Sequence, residues 1–162
     1  MGVRIDAATV DDVPLLRQFI RKLADYERLA HEAVCTDEDL RETLFGERRY
    51  AEVLIARVGE EPAGFAMFFH NYSTFLARPG LYLEDLYVVP KWRGQGIGKR
   101  LFARLAAIAV ERRCGRLEWW VLDWNEPALE FYKALGAQSM SDWTVQRLTG
   151  EALSRLAGQD RS

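Results

Sequence analysis

Two periods of apolar residues take turns along the chain, one alternating and one recurring every third or fourth position, and they separate strands from helices. Residues 3–7 alternate as a short strand. Thr9 and Asp12 form a capping-box-like pair, after which Val13, Leu16, Ile20, Leu23 and Ala24 recur at helical spacing to about Leu29. Pro14 is tolerated there because it falls in the first turn. Thr36 and Asp39 repeat the capping signature and open a shorter helix that Gly46 closes. Residues 51–58 and 65–71 read as a hairpin around a turn at 59–64, residues 72–80 as a loop, and residues 81–89 as a third long strand ended by Pro90. Leu101, Leu105, Ile108 and Ala109 place a helix over 98–113, stopped by Gly115. A strand over 117–122, a helix over 127–135, a last strand over 138–148 and a helical tail over 151–157 follow. The order βααβββαβαβ predicts one α/β domain over residues 1–162, a mixed, mostly antiparallel sheet flanked by helices.

Composition narrows the class. With 162 residues, 49% apolar and 28% charged, the chain can bury one core without a disulfide or structural metal. The net charge of −2 gives no overall attraction to nucleic acid or to an anionic membrane, so neither is an expected partner. Apolar runs such as residues 64–69 are too short to span a bilayer, and the start lacks a basic-then-apolar leader, so a cytoplasmic address is expected. Cys35 and Cys114 form no C-x-x-C, and His31 and His70 add no metal-ligand spacing, so no metal is expected.

Local chemistry is more informative. Arg93, Gly94, Gln95, Gly96, Ile97, Gly98 and Lys99 lie between a strand and a helix N-terminus, where free N–H groups and the helix dipole favour an anion. Lys91, Arg93, Lys99 and Arg100 add four cations in ten residues. The spacing fits neither the dinucleotide fingerprint nor the P-loop, because Lys99 and Arg100 follow Gly98 and Arg93 stands where a P-loop has its first glycine. Glu84 and Asp85 interrupt an otherwise apolar strand. Alternation predicts one acid on each face, as a base and a binder for a cationic amine or as strand-face salt bridges. Asn125 suits a helix cap, and Tyr132 sits on an apolar helical stripe as a core aromatic or as a phenol able to protonate a departing thiolate.

The stretches YLEDLYVVPKWRGQGIG and VLDWNEPALEFYKALGA, with the early ADYE at 24–27 and FGE at 45–47, resemble the diamine acetyltransferase branch of the GNAT superfamily, which includes spermidine/spermine and thialysine acetyltransferases. The resemblance implies acetyl-CoA as cosubstrate, with residues 93–99 on its pyrophosphate, the main chain of Leu86, Tyr87 and Val88 along pantetheine, and Asn125 and Tyr132 against the cofactor. It implies Tyr132 as general acid and Glu84 as base through water, with Glu27, Glu84 and Asp85 around the amine, and a homodimer. Tyr72 is followed by Ser73, Thr74 and Phe75, where the polyamine branch has an acidic residue and then Pro-Trp. That departure favours a thialysine- or lysine-like amino acid or short diamine over a long polyamine. The expected function is direct acetyl transfer to a small cationic amine in a ternary complex. The alternatives are a polyamine acetyltransferase and a non-catalytic acyl-CoA sensor.

Overall fold

The computed structural model describes residues 2–161 and divides the chain into two compact units, Met1–Leu122 and Asp123–Ser162. The first carries a five-stranded sheet in the order β1-β2-β3-β4-β5, made of β1 (Val3–Ala7), β2 (Glu52–Val58), β3 (Glu61–Ser73), β4 (Arg78–Val88) and β5 (Leu117–Trp119). The first four strands pair antiparallel and β5 joins β4 in parallel, which is the mixed, mostly antiparallel sheet that the sequence predicts.

Each face of the sheet is covered by helix. From α1 (Val13–Tyr26) come Val13, Leu16, Phe19 and Leu23, and from α2 (Asp37–Phe45) come Leu40 and Leu44, all buried against Val53, Ile55, Phe65 and Tyr87. Phe19 stacks on Phe65 at 5.4 Å. The opposite face packs against α3 (Ile97–Glu111), whose Ile97, Leu101, Phe102 and Leu105 are buried, with Phe102 lying 4.8 Å from the Trp119 ring. Burying side chains of this size stabilises the fold by about 1.5–3 kcal/mol each before entropy is counted.

Several boundaries move. The β2–β3 connection tightens to a two-residue turn in which Gly59 takes a φ of 61°, so β3 begins at Glu61, and β4 begins at Arg78 inside the predicted loop. The α1 helix stops at Tyr26, and β5 spans three residues where the pattern predicts six.

The second unit holds α4 (Glu126–Ala134) and α5 (Gly150–Ala157). The strand expected over 138–148 does not form. Those residues take no regular ladder, and Met140, Trp143 and Val145 are exposed. Alternation supplies only a propensity, and a strand without a partner leaves its backbone groups to water. Among the described residues no helix is long and apolar enough to cross a membrane.

Candidate active site

The glycine-rich turn leads into α3 as expected, and its geometry explains its composition. Gly94 and Gly96 take φ values of 78° and 83°, a left-handed region costly for residues with a Cβ. Gly96 is the N-cap, and the first intrahelical bond runs from Arg100 N–H to Gly96 O at 3.0 Å. Among the described residues the N–H groups of Ile97, Gly98 and Lys99 meet no backbone or side-chain acceptor, so the positive end of the helix is open. The surrounding cations divide into two kinds. Lys91 donates to both oxygens of Glu61 at 2.9 and 3.0 Å, whereas Lys99 and Arg100 have no carboxylate partner among the described residues. Arg93 turns back, its Nε–H donating to Val88 O at 2.8 Å.

Beside this loop the sheet is half open. The parallel pairing of β5 with β4 covers only Leu81 to Leu83, so the β5-facing edge of Leu86, Tyr87 and Val88 has no strand partner. Val89 N–H donates to Ala63 O on β3 at 2.8 Å, so the Val88 carbonyl, in the same peptide group, faces the open edge. Open edge and open helix end together suit an extended ligand whose amide-bearing arm leads to an anionic segment, and acetyl-CoA, with its pantetheine amides and pyrophosphate, has that form.

The acids are placed by a β-bulge. Met67 pairs with Asp85 but Phe68 pairs with Leu83, so Glu84 is an extra residue on β4. Such an insertion shifts alternation by one position. Leu83 lies across from Phe68, whereas Tyr87 lies across from Phe65 on the α1 side, and the count between them puts Glu84 and Asp85 together on that α1 side. The expectation of one acid on each face is therefore corrected: the bulge cancels the alternation on which it rests. Glu27, at the end of α1, completes the group. Burial, then Glu84, then Glu27 push the Asp85 carboxyl up to about 7. Burial and then Glu84 raise that of Glu27. Burial, with the charges of Glu84, Asp85 and Glu118, raises the Tyr82 phenol. The charges behind these shifts are those of neighbouring carboxylates, so the cluster is a negative site that attracts a positive ligand.

The end of α1 is itself held in an uncommon conformation. Leu29 N–H donates to Ala24 O at 2.8 Å and Arg28 N–H to Asp25 O at 3.1 Å, with Arg28 at a φ of 62°. This Schellman-like closure, without the usual glycine, stops the helix directly after Glu27. Ser73 is buried and its Oγ accepts the Leu76 N–H at 3.2 Å, closing the β3–β4 turn. An acidic side chain there would displace a turn contact.

In the second unit Asn125 is buried and caps α4, its Oδ1 accepting the Ala128 N–H at 3.4 Å. Tyr132 is half-buried on α4, its ring 5.7 Å from that of Phe131. The first unit thus brings together Glu27, Glu84, Asp85, the Leu86 to Val88 edge and residues 93–99, while Asn125 and Tyr132 stand on the second. Sequence reasoning missed the bulge and the Arg93–Val88 bond, for which local pattern carries no signal.

Comparison with known proteins agrees with this geometry. Residues 18–137 match the model of the acetyltransferase (GNAT) family. A thialysine N-epsilon-acetyltransferase of Bos taurus is 38% identical over 168 residues, covering 97% of this chain and 98% of that one. An L-ornithine N5-acetyltransferase of Arabidopsis thaliana is 33% identical, covering 96% and 88%. Among solved structures, an integron cassette protein of V. cholerae superposes with a TM-score of 0.81 at 29% identity, covering 97% of this chain and 98% of its own.

Proposed function

The chain belongs to the acetyltransferase (GNAT) family and is an acetyltransferase, and from that premise we propose that it acetylates the primary amine of a compact cationic acceptor, a thialysine-, lysine- or ornithine-like amino acid or a short diamine. The observation that carries this reading is the cluster of Glu27, Glu84 and Asp85 on one side of a bulged strand, beside an open strand edge and an open helix N-terminus. Bound acetyl-CoA supplies the activated acetyl group. The residues fit it: the N–H groups of Ile97, Gly98 and Lys99 and the positive-φ glycines receive the pyrophosphate, and the edge of β4 receives the pantetheine.

A lysine-like ammonium with a reference pKa near 10.4 must lose a proton to become nucleophilic, at a cost of about 4.6 kcal/mol at pH 7. Glu84 is the base, relayed by water, and Asp85 shares the proton. Asp85 lies on the same side of the bulge, and burial, then Glu84, then Glu27 push its carboxyl up to about 7, a range suited to taking up a proton near neutral pH. Glu27 completes the negative cradle. Tyr132 holds the proton for the leaving thiolate, and Asn125, by capping α4, supports the helix that carries it. Transfer is direct, within a ternary complex.

A panel of thialysine, lysine, ornithine, putrescine, spermidine and spermine with acetyl-CoA tests the acceptor. The highest kcat/KM belongs to one of the compact amines; spermidine or spermine ranking first would overturn the reading. The proton assignment is read from pH profiles. Activity rises with pH as Asp85 ionises; Asp85→Asn removes that limb and Glu84→Gln, by removing a neighbouring charge, moves it to lower pH, whereas an unchanged profile in both variants removes the two acids from the chemistry.

A further inference from the structure

Arg93 stands in the glycine-rich turn, where the resemblance makes it a pyrophosphate ligand, yet its side chain is directed elsewhere. Its Nε–H donates to Val88 O at 2.8 Å. Its guanidinium carbon lies 5.2 Å from the centroid of the Tyr26 ring and 5.4 Å from that of Tyr87. Tyr87 is buried in the α1-side core, 6.1 Å from Phe19, and is therefore fixed. Tyr26 is half-exposed at the last position of α1, one residue before Glu27. Arg93 thus joins three places: the outward carbonyl on the open edge of β4, the core below it, and the end of the helix that presents Glu27.

We propose that Arg93 is a positioning residue for the amine acceptor, its guanidinium holding the Tyr26–Glu27 end of α1 against β4 so that Glu27 stands with Glu84 and Asp85. Three features favour this role. A planar guanidinium can cover aromatic faces and still donate from Nε, which an ammonium cannot reproduce. The shifts of Glu27 and Asp85 come from burial and from neighbouring carboxylates, so Arg93 acts on the cluster through its packing. The bond also closes the Val88 carbonyl to a ligand, leaving the Val88 N–H and Leu86 carbonyl as the outward groups of the edge. The inference rests on the amine-acetylation reading for its substrate and on the geometry alone for the clamp.

The test compares Arg93→Lys, Arg93→Met and Tyr26→Leu with the parent protein. Acetyl-CoA affinity is measured by calorimetry at low and high salt, amine KM and kcat on the best acceptor, and Glu27 and Asp85 titration by carboxyl NMR without substrate. Positioning predicts a rise of about tenfold or more in amine KM for Arg93→Met and Tyr26→Leu, with only partial rescue in Arg93→Lys. In Tyr26→Leu, which alters neither the glycine-rich turn nor the β4 edge, acetyl-CoA affinity stays within about threefold with an unchanged salt dependence, and in both Arg93→Met and Tyr26→Leu the Asp85 titration moves down as Glu27 loosens. A role confined to the phosphate predicts weaker and less salt-dependent acetyl-CoA binding in Arg93→Met with amine KM intact in both variants, and overturns the proposal, as does no change in any readout. If Arg93→Met does not fold, Tyr26→Leu carries the same test without altering a charge in the glycine-rich turn. Should no amine be acetylated, the acetylation reading fails while the NMR titration still decides the clamp.

Discussion

Two helix starts in the first unit treat the same physical problem in opposite ways. At α2, Thr36 Oγ1 accepts the Asp39 N–H at 3.1 Å and Asp39 Oδ2 accepts the Thr36 N–H at 2.9 Å, so the chain supplies its own anion. The Thr36 backbone N–H, then its side chain, hold the Asp39 carboxyl below its usual range. At α3 the cap is a glycine with no side chain, the first turn has no acidic residue, and Lys99 and Arg100 follow. A capping box adds stability of about 1 kcal/mol, and α3 forgoes it. The contrast teaches that the uncapped helix leaves its positive end unsatisfied by the chain, as the proposed cofactor site requires, while the capped one satisfies its own.

Making α3 resemble α2 breaks the comparison most severely. Gly96→Asp puts a carboxylate where the phosphate reading puts an anion, and a side chain where φ is 83°. Acetyl-CoA affinity, measured by calorimetry, is expected to fall by about 100-fold, roughly 2.7 kcal/mol. Retention of affinity in the folded variant would remove the loop from cofactor binding.

The fold treats its acids as differently as its helix starts, lowering Asp39 and raising Asp85. Its folded pKa is raised from 3.8 to about 7, so the folded state keeps a proton that the unfolded chain releases, and stability falls as pH rises through that window. At 1.36 kcal/mol per unit the ceiling is about 4 kcal/mol, and roughly half is expected after local relaxation. Asp85→Asn should therefore stabilise the protein above pH 7 and flatten the decline between pH 4 and 7 in denaturant titrations. Equal slopes in the two proteins would contradict it.

Removing the cap of α2 sharpens the contrast from the other side. Thr36→Ala is expected to cost about 1 kcal/mol in denaturant unfolding, with acetyl-CoA affinity unchanged. A loss of affinity there would mean that the two helix starts are not independent. The smallest effect concerns Asp39. Its folded pKa is lowered, so its contribution is present above the unfolded value near 3.8 and disappears as pH falls through the folded one. The difference in melting temperature between the parent and Asp39→Ala should shrink as pH drops from 5 toward 2, and a constant difference would assign the effect to something other than the carboxylate.

Local pattern made the α1 and α2 starts, the glycine-rich turn and the apolar strands legible, because caps, positive-φ glycines and periodicity act between residues close in sequence. The 138–148 stretch was misread for the same reason, since Trp143 and Val145 have strand propensity whether or not a partner exists. Glu84 and Asp85 were found as chemistry but given the wrong faces, because a bulge is a property of two strands.

By itself, then, the sequence determined which residues could bind an anion, hold a cation and start or end a helix. Only the tertiary structure decided that β5 leaves β4 at Leu83 and opens an edge, that the extra residue opposite Met67 and Phe68 gathers two acids on the α1 side, and that Arg93 lies over Tyr26 and Tyr87. It likewise brought His70 within 3.0 Å of Arg112 Nη1 and 3.8 Å of Cys114 Sγ, residues more than forty positions apart. The physical reason is common to all four. Strand register and side-chain stacking depend on the relative placement of distant segments, and the free energy that fixes it comes from burial summed over the core.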